Sequence, residues 1–219
     1  MDPDAIEIRV VGCLIEKQRT TPDAYPLSLN SLRLACNQTT NRDPVVSYDE
    51  QTISEALRRL ALRGWTRLAS GAGSRARKYR HLLDEALGVD EAELSLLAVL
   101  MLRGVQTPGE LKQRSERLYP FPDREAVLET LGRLVERGYV ARHPRRPGQK
   151  EDRYEQVLGG REEATAAPAA DPAPDEEGDG AAAGERPEPV PYGDRLDRLE
   201  REVAALRAEL SELREALGG

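Results

Sequence analysis

One pattern occurs twice in this chain, seventy-four residues apart: Glu55-Ala56-Leu57-Arg58-Arg59-Leu60-Ala61-Leu62-Arg63-Gly64-Trp65 and Glu129-Thr130-Leu131-Gly132-Arg133-Leu134-Val135-Glu136-Arg137-Gly138-Tyr139. Glu, Leu, Arg, Leu, Arg and Gly recur in register, and an aromatic residue follows the glycine in each copy. Each copy reads as a helix that stops at a glycine, where a positive φ costs little, and then enters a short strand. A basic, glycine-containing segment and a second strand-like piece follow, Arg77-Lys78-Tyr79-Arg80 in one copy and Asp152-Arg153-Tyr154-Glu155 in the other. Helix, strand, basic loop, strand is the back half of a winged helix, and an internal repeat of this kind fixes the architecture before any other argument.

The rest of each unit follows from helical spacing. Ile6, Val10, Cys13 and Leu14 predict a first helix running to about Lys17, and Leu29, Leu32 and Ala35 a second. The polar loop Asn37–Pro44 is too long for the tight turn of a simple helix-turn-helix. Ser47 with Glu50 reads as a capping box opening a third helix with Ile53, Leu57 and Leu60 inward. In the second unit Leu94, Leu97 and Met101 build a helix ended by Gly104, Thr107-Pro108 opens the next, and Asp123 caps the third.

Beyond about residue 160 the text changes character. Residues 161–191 are rich in Ala, Pro, Gly, Asp and Glu, with 2 Lys+Arg against 9 Asp+Glu, a composition that buries too little apolar surface to offset its ordering entropy. Leu196, Leu199, Val203, Leu206, Leu210, Leu213 and Leu217 then alternate three and four apart, as heptad a and d positions. In a parallel dimer the flanking pairs Arg195–Glu200, Glu202–Arg207 and Glu209–Arg214 are all of opposite sign. The fold expectation is therefore mainly α with small β wings: two tandem winged-helix domains (1–86 and 87–160), a disordered acidic linker (161–191) and a C-terminal coiled-coil helix (192–219) that makes a homodimer.

The segments Leu14-Ile15-Glu16-Lys17, Thr20-Thr21-Pro22-Asp23, Tyr25-Pro26-Leu27-Ser28-Leu29-Asn30, Ala35-Cys36-Asn37-Gln38 and Asn41-Arg42-Asp43-Pro44-Val45 resemble the YceH-like family of bacterial proteins. The resemblance spans roughly residues 3–158. It implies tandem winged helices and a terminal coiled coil, and it brings no catalytic residues to carry over, since that family has no assigned biochemical function.

Charge distribution narrows the function. The formal net charge of −7 sits in the linker: residues 1–88 carry 13 Lys+Arg against 11 Asp+Glu, and residues 89–160 carry 12 against 12. The opening Met1-Asp2-Pro3-Asp4 has no secretory pattern and the longest apolar run, Leu96–Leu102, is far short of a membrane span, so a cytoplasmic protein with no membrane contact is expected. Cys13 and Cys36 fall in helical patterns, which argues against a disulfide framework. His81 and His143 lie in different wings, and neither metal-ligand spacing nor a phosphate loop nor a nucleophile elbow is present, so no enzyme, cofactor or metal is expected.

The outward face of each third helix decides the rest. With Ile53, Leu57 and Leu60 inward, Gln51, Glu55, Arg58, Arg59 and Leu62 point outward. From Arg58 to His81 there are eight Arg+Lys and no acid, so Gln51, Arg58, Arg59, Arg67, Arg75, Arg77, Lys78 and Arg80 are the candidate contacts to double-stranded DNA. The equivalent face of the second unit, Glu125, Glu129, Gly132, Arg133 and Glu136, would meet phosphates with acid, although its wing carries Arg142, Arg145, Arg146, Lys150 and Arg153. The second unit is the better candidate for a protein partner. Two readings follow: a dimeric DNA-binding transcriptional regulator that works mainly through its first domain, and a non-catalytic winged-helix adaptor of the chromosome-segregation type.

Overall fold

A computed structural model describes residues 2–69, 77–145 and 149–159. The linker 161–191, the heptad segment 192–219 with its seven stripe residues, and Arg75 and Arg146 lie outside the described residues. Helices predominate: α1 (Ala5–Thr20), α2 (Leu29–Cys36), α3 (Glu50–Leu62), α4 (Leu83–Leu87), α5 (Glu91–Arg103), α6 (Pro108–Ser115) and α7 (Arg124–Glu136). The strands β1 (Leu27–Ser28), β2 (Thr66–Leu68) and β3 (Lys78–His81) form one antiparallel sheet in the order β1-β3-β2, and β4 (Val140–His143) and β5 (Arg153–Gln156) form another. In both halves three helices precede an antiparallel strand pair, an order consistent with a winged-helix-like α/β fold.

At the centre α1 lies against α5. Between Glu7 and Ile15, and between Ala92 and Leu102, every residue is buried. A helix that is apolar all round belongs inside, which accounts for the Leu96–Leu102 run. Gly12 sets the crossing distance: a Cβ there would come within 3.1 Å of the Met101 Cβ and 3.2 Å of Leu102 side-chain carbons. Met1–Ala167 accordingly forms one compact unit.

Both copies of the repeated motif do the same structural work. Asp4 caps α1 and Asp90 caps α5, each in a reciprocal capping box with the glutamate three residues on, Glu7 and Glu93. Glu7 then receives Arg59 Nε at 3.2 Å and Arg63 Nε at 3.3 Å, while Glu93 receives Arg133 Nε at 3.3 Å and Arg137 at 3.1 Å. The outer aspartates join in, Asp4 to Arg59 at 2.6 Å and Asp90 to Arg133 at 3.1 Å. The arginines that recur in the sequence thus clamp the third helix of each half to the N-terminus of its first. Gly64 and Gly138 end α3 and α7 with φ of 75° and 73°, as the pattern required.

The loop between α2 and α3 is pinned from inside. The fully buried Arg42 side chain uses all five N–H groups: two reach Glu16 (3.0 and 2.6 Å), and the others reach Ala35 O (3.1 Å), Asn41 O (2.8 Å) and Gln38 Oε1 (2.9 Å). Burial alone would push the Glu16 carboxyl up, but the Arg42 guanidinium reverses this and holds it below its ordinary range. Asn37 brackets the far end through Tyr48, donating to its carbonyl and accepting from its N–H, both at 2.8 Å.

Two details depart from the sequence expectation. The cap of α3 is Asp49, accepting from Thr52 N–H at 2.7 Å, and not Ser47. The Asn37 bracket holds Tyr48 outside the helix and leaves Asp49 as the residue next to its first turn. The two-residue β1 and the short α4, closed by Gly88 at φ 63°, carry no periodicity and were invisible to pattern. In the second half Gln106 takes the place of β1, exchanging two backbone hydrogen bonds with Tyr154 (2.9 and 2.7 Å).

Candidate nucleic-acid interface

With Ile53, Ala56, Leu57 and Leu60 buried, α3 turns Gln51, Ser54, Glu55, Arg58 and Leu62 to solvent. Beside this face stands the β2–β3 pair, with Arg67 opposite Arg80 in register. Arg58, Arg67 and Arg77 are exposed and make no ion pair among the described residues. The other candidates are committed to differing degrees. Arg59 turns away to Asp4 and Glu7, Arg80 pairs with Glu85 at 3.7 Å, and Lys78 is half-buried and engaged. Gln51 donates to Glu55 at 3.2 Å, which shields part of that carboxylate's charge. Among the described residues, the available basic surface of this face is therefore Arg58 on the helix, Arg67 on β2 and Arg77 immediately before β3.

His81 is a scaffold residue. Its Nδ1 accepts from Leu83 N–H at 3.3 Å and its Nε2 lies 2.6 Å from Gln18 Oε1, so a neutral ring protonated at Nε2 satisfies both. Its own backbone N–H donates to the Tyr25 hydroxyl at 2.9 Å. Burial pushes the imidazole pKa down to about 4, against the opposing pull of Asp84 at 3.6 Å. The Tyr25 hydroxyl is pushed up to about 12, also by burial. Cys13 and Cys36 are buried free thiols. Among the described residues no group of three or more His, Cys, Asp or Glu side chains is placed to hold a metal ion, and no helix is long and apolar enough to cross a membrane.

The matching face of the second half is built differently. Glu125, Glu129 and Glu136 are exposed on α7, as expected, whereas Arg133 is drawn into the clamp. Beside them lie Leu128 and Val135, 38% and 36% exposed, which the sequence reading passed over. Their signal was available in the repeat, since they stand where the first half has Ser54 and Ala61. With Gly132 they floor a cleft of about 740 Å³ whose far wall carries Arg142, Arg145 and Lys150. That wall is partly neutralised, with Arg142 Nε meeting Asp152 at 2.8 Å, and on the α7 side Arg124 meets Glu151 at 2.8 Å.

Comparison with known proteins places the chain by sequence. A family model described as "Protein of unknown function, DUF480" matches residues 4–149. The chain is 46% identical over 208 residues to a UPF0502 protein of Geotalea uraniireducens, covering 93% of this chain and 89% of that one. It is 52% identical over 157 residues to a UPF0502 protein of Geotalea daltonii (71% and 72% covered) and 42% identical over 210 residues to one of Pseudomonas syringae (96% and 91% covered).

Proposed function

The chain belongs to the DUF480 family of bacterial proteins, and from that premise we propose that it is a dimeric, non-catalytic tandem winged-helix protein that binds double-stranded DNA as a transcriptional regulator, mainly through its first half. The observation that carries this reading is the trio Arg58, Arg67 and Arg77, exposed and, among the described residues, without an ion pair, on and beside a solvent-facing third helix. Three free guanidinium groups per chain, doubled by a homodimer joined through residues 192–219, would engage about six phosphates. Counterion release then predicts that affinity falls roughly 10³-fold between 50 and 200 mM salt. The test is a fluorescent-duplex titration at both salt concentrations. Reversing Arg67 and Arg77 to Glu should abolish binding, and Arg59→Ala should cost binding only as far as it costs stability. No binding by the unaltered chain at low salt would retire the DNA reading.

A second reading, the adaptor that binds protein and not nucleic acid, draws its support from α7. Glu125, Glu129 and Glu136 stand where phosphates would lie, beside two exposed aliphatic side chains. On both readings the two faces are not equivalent reading heads, and the linker 161–191 is a tether.

A further inference from the structure

The two halves are built on one plan, so the positions at which their third helices differ report what each face is for. Ser54, Arg58 and Ala61 on α3 correspond to Leu128, Gly132 and Val135 on α7. The spacing of four and three puts each trio on one helical face. Where the first half has serine, arginine and alanine, with Leu62 exposed beside them, the second has two aliphatic side chains about a central gap. We propose that the cleft between α7 and the β4–β5 strands docks an amphipathic helix of a partner protein, one that presents a leucine stripe flanked by acidic residues. The inference rests on the adaptor reading for the second half and stands whether or not the first half binds DNA.

Gly132 is the most telling position. A glycine inside a helix costs about 0.5–1 kcal/mol relative to alanine, so it calls for a compensating use. Among the described residues there is none: a Cβ at Gly132 would meet nothing within 4 Å. Gly12, by contrast, is used within the fold, at the contact of α1 with α5. Close approach from outside is the use left for a glycine placed between two exposed aliphatic side chains at the floor of an open cleft.

The walls select the occupant. Arg142 and Arg124 are neutralised by Asp152 and Glu151, which removes two of the cations that a phosphate backbone would need. Arg145 and Lys150 remain exposed with no ion pair among the described residues. A ligand lying here therefore needs acid toward the strands and aliphatic side chains toward α7. A helix meets both demands on a single element, with anchors at i, i+4 and i+7 filling the floor. An added strand has no free edge at β5, which is already paired on both sides, to β4 and to Gln106.

The experiment uses the full chain and a fluorescein-labelled, helix-forming peptide of about 14 residues, with leucines at i, i+4 and i+7 and glutamates along one flank. A control peptide carries lysine in place of each glutamate. Fluorescence anisotropy should show saturable binding of the acidic peptide and at least about tenfold weaker binding of the basic one. Gly132→Arg, which installs the residue of the first half, should weaken the acidic peptide by about tenfold or more while leaving the unfolding temperature unchanged or raised, since arginine is the better helix former. Arg145→Glu with Lys150→Glu should weaken it by about fivefold or more. Failure of the acidic peptide to bind the unaltered chain, equal binding of both peptides, or indifference to Gly132→Arg would each overturn the proposal. The duplex titration on the same variant keeps the two proposals apart. Unchanged duplex affinity is expected, whereas a gain would assign this face to phosphate and overturn the docking groove.

Discussion

Replacing Glu7 by alanine tests the clamp that ties the third helix of the first half to its first. The carboxylate is buried and serves three groups: it accepts from Asp4 N–H at 3.0 Å and Arg63 Nε at 3.3 Å and pairs with Arg59 Nε at 3.2 Å. Removing one member of a fully buried ion pair typically costs about 3–5 kcal/mol, because a charge is stranded without solvent. Here the stranded charges are not fully buried, since the Arg59 and Arg63 side chains are 35% and 26% exposed and can rehydrate. That brings the electrostatic loss to about 1–2 kcal/mol, and the lost half of the capping box adds about 0.5 kcal/mol. The expectation is a loss of about 2 kcal/mol, or roughly 4–8 °C in unfolding temperature for a folded part of this size. Glu7→Gln keeps the cap acceptor but not the charge and should lose about half as much. Urea unfolding followed by fluorescence is direct, because Trp65 is the single tryptophan and its backbone N–H donates to Leu60 O at 2.9 Å, next to the clamp. Glu93→Ala is the internal comparison. With α1 packed on α5, it should move the same Trp65 transition by a similar amount. A Glu7→Ala midpoint within about 0.5 kcal/mol of the unaltered chain would show that the clamp is ornamental.

Further expectations follow from buried groups and from the heptad stripe. The folded His81 pKa of about 4 lies below the unfolded value of about 6.5, so its contribution is complete above pH 6.5 and is lost as pH falls toward 4; urea midpoints at pH 7.5 and 5.0 should differ by about 2 kcal/mol, and much less in His81→Gln. Gly12→Val forces a Cβ and two methyl groups into the crossing of α1 and α5 and should destabilise by about 2 kcal/mol or more in the same assay, whereas Gly132→Val should not. Leu206→Glu, at a central d position of the heptad run, should convert a dimer to a monomer in light scattering; an unchanged mass per particle would remove residues 192–219 from the account of assembly.

Much of the helical frame was legible because it rests on local chemistry. Thr107-Pro108 opens α6 as expected, with a capping box to Glu110 besides, Asp123 caps α7, and Gly104, Gly64 and Gly138 stop their helices at positive φ. What escaped depended on partners distant in sequence. Leu27–Ser28 is a strand only because Tyr79 and Lys78 lie across from it, and Asp49 replaces Ser47 as a cap because Asn37 holds Tyr48. The candidate site was half legible for the same reason. A helical wheel puts Arg59 on the rim of the outward face, but the wheel knows nothing of Asp4 and Glu7, which arrive from a helix more than fifty residues away.

Several of the motif residues that carry the family resemblance belong to this same frame. Glu16, Asn37, Gln38 and Arg42 form the buried network under the α2–α3 loop, and Tyr25 holds the backbone of His81. None of them faces the solvent side of α3 or the cleft beside α7. Repetition within the chain behaves alike. The arginines that recur at both copies, 59 with 133 and 63 with 137, are the clamps, and the recurring leucines are core. A position that must hold the fold is filled the same way twice, because both halves face the same packing problem. A position that meets a ligand is free to differ, and the solvent-facing trios do differ: Ser54, Arg58 and Ala61 against Leu128, Gly132 and Val135. Duplication of a fold followed by divergence of one helical face is enough to give two surfaces of opposite chemistry. The prediction that separates them is the exchange of their central residues. Arg58→Gly should lose duplex affinity and leave the acidic peptide bound, and Gly132→Arg should do the reverse. If both exchanges disturb the same ligand, the two faces form one site and the division of labour argued from the repeat is wrong.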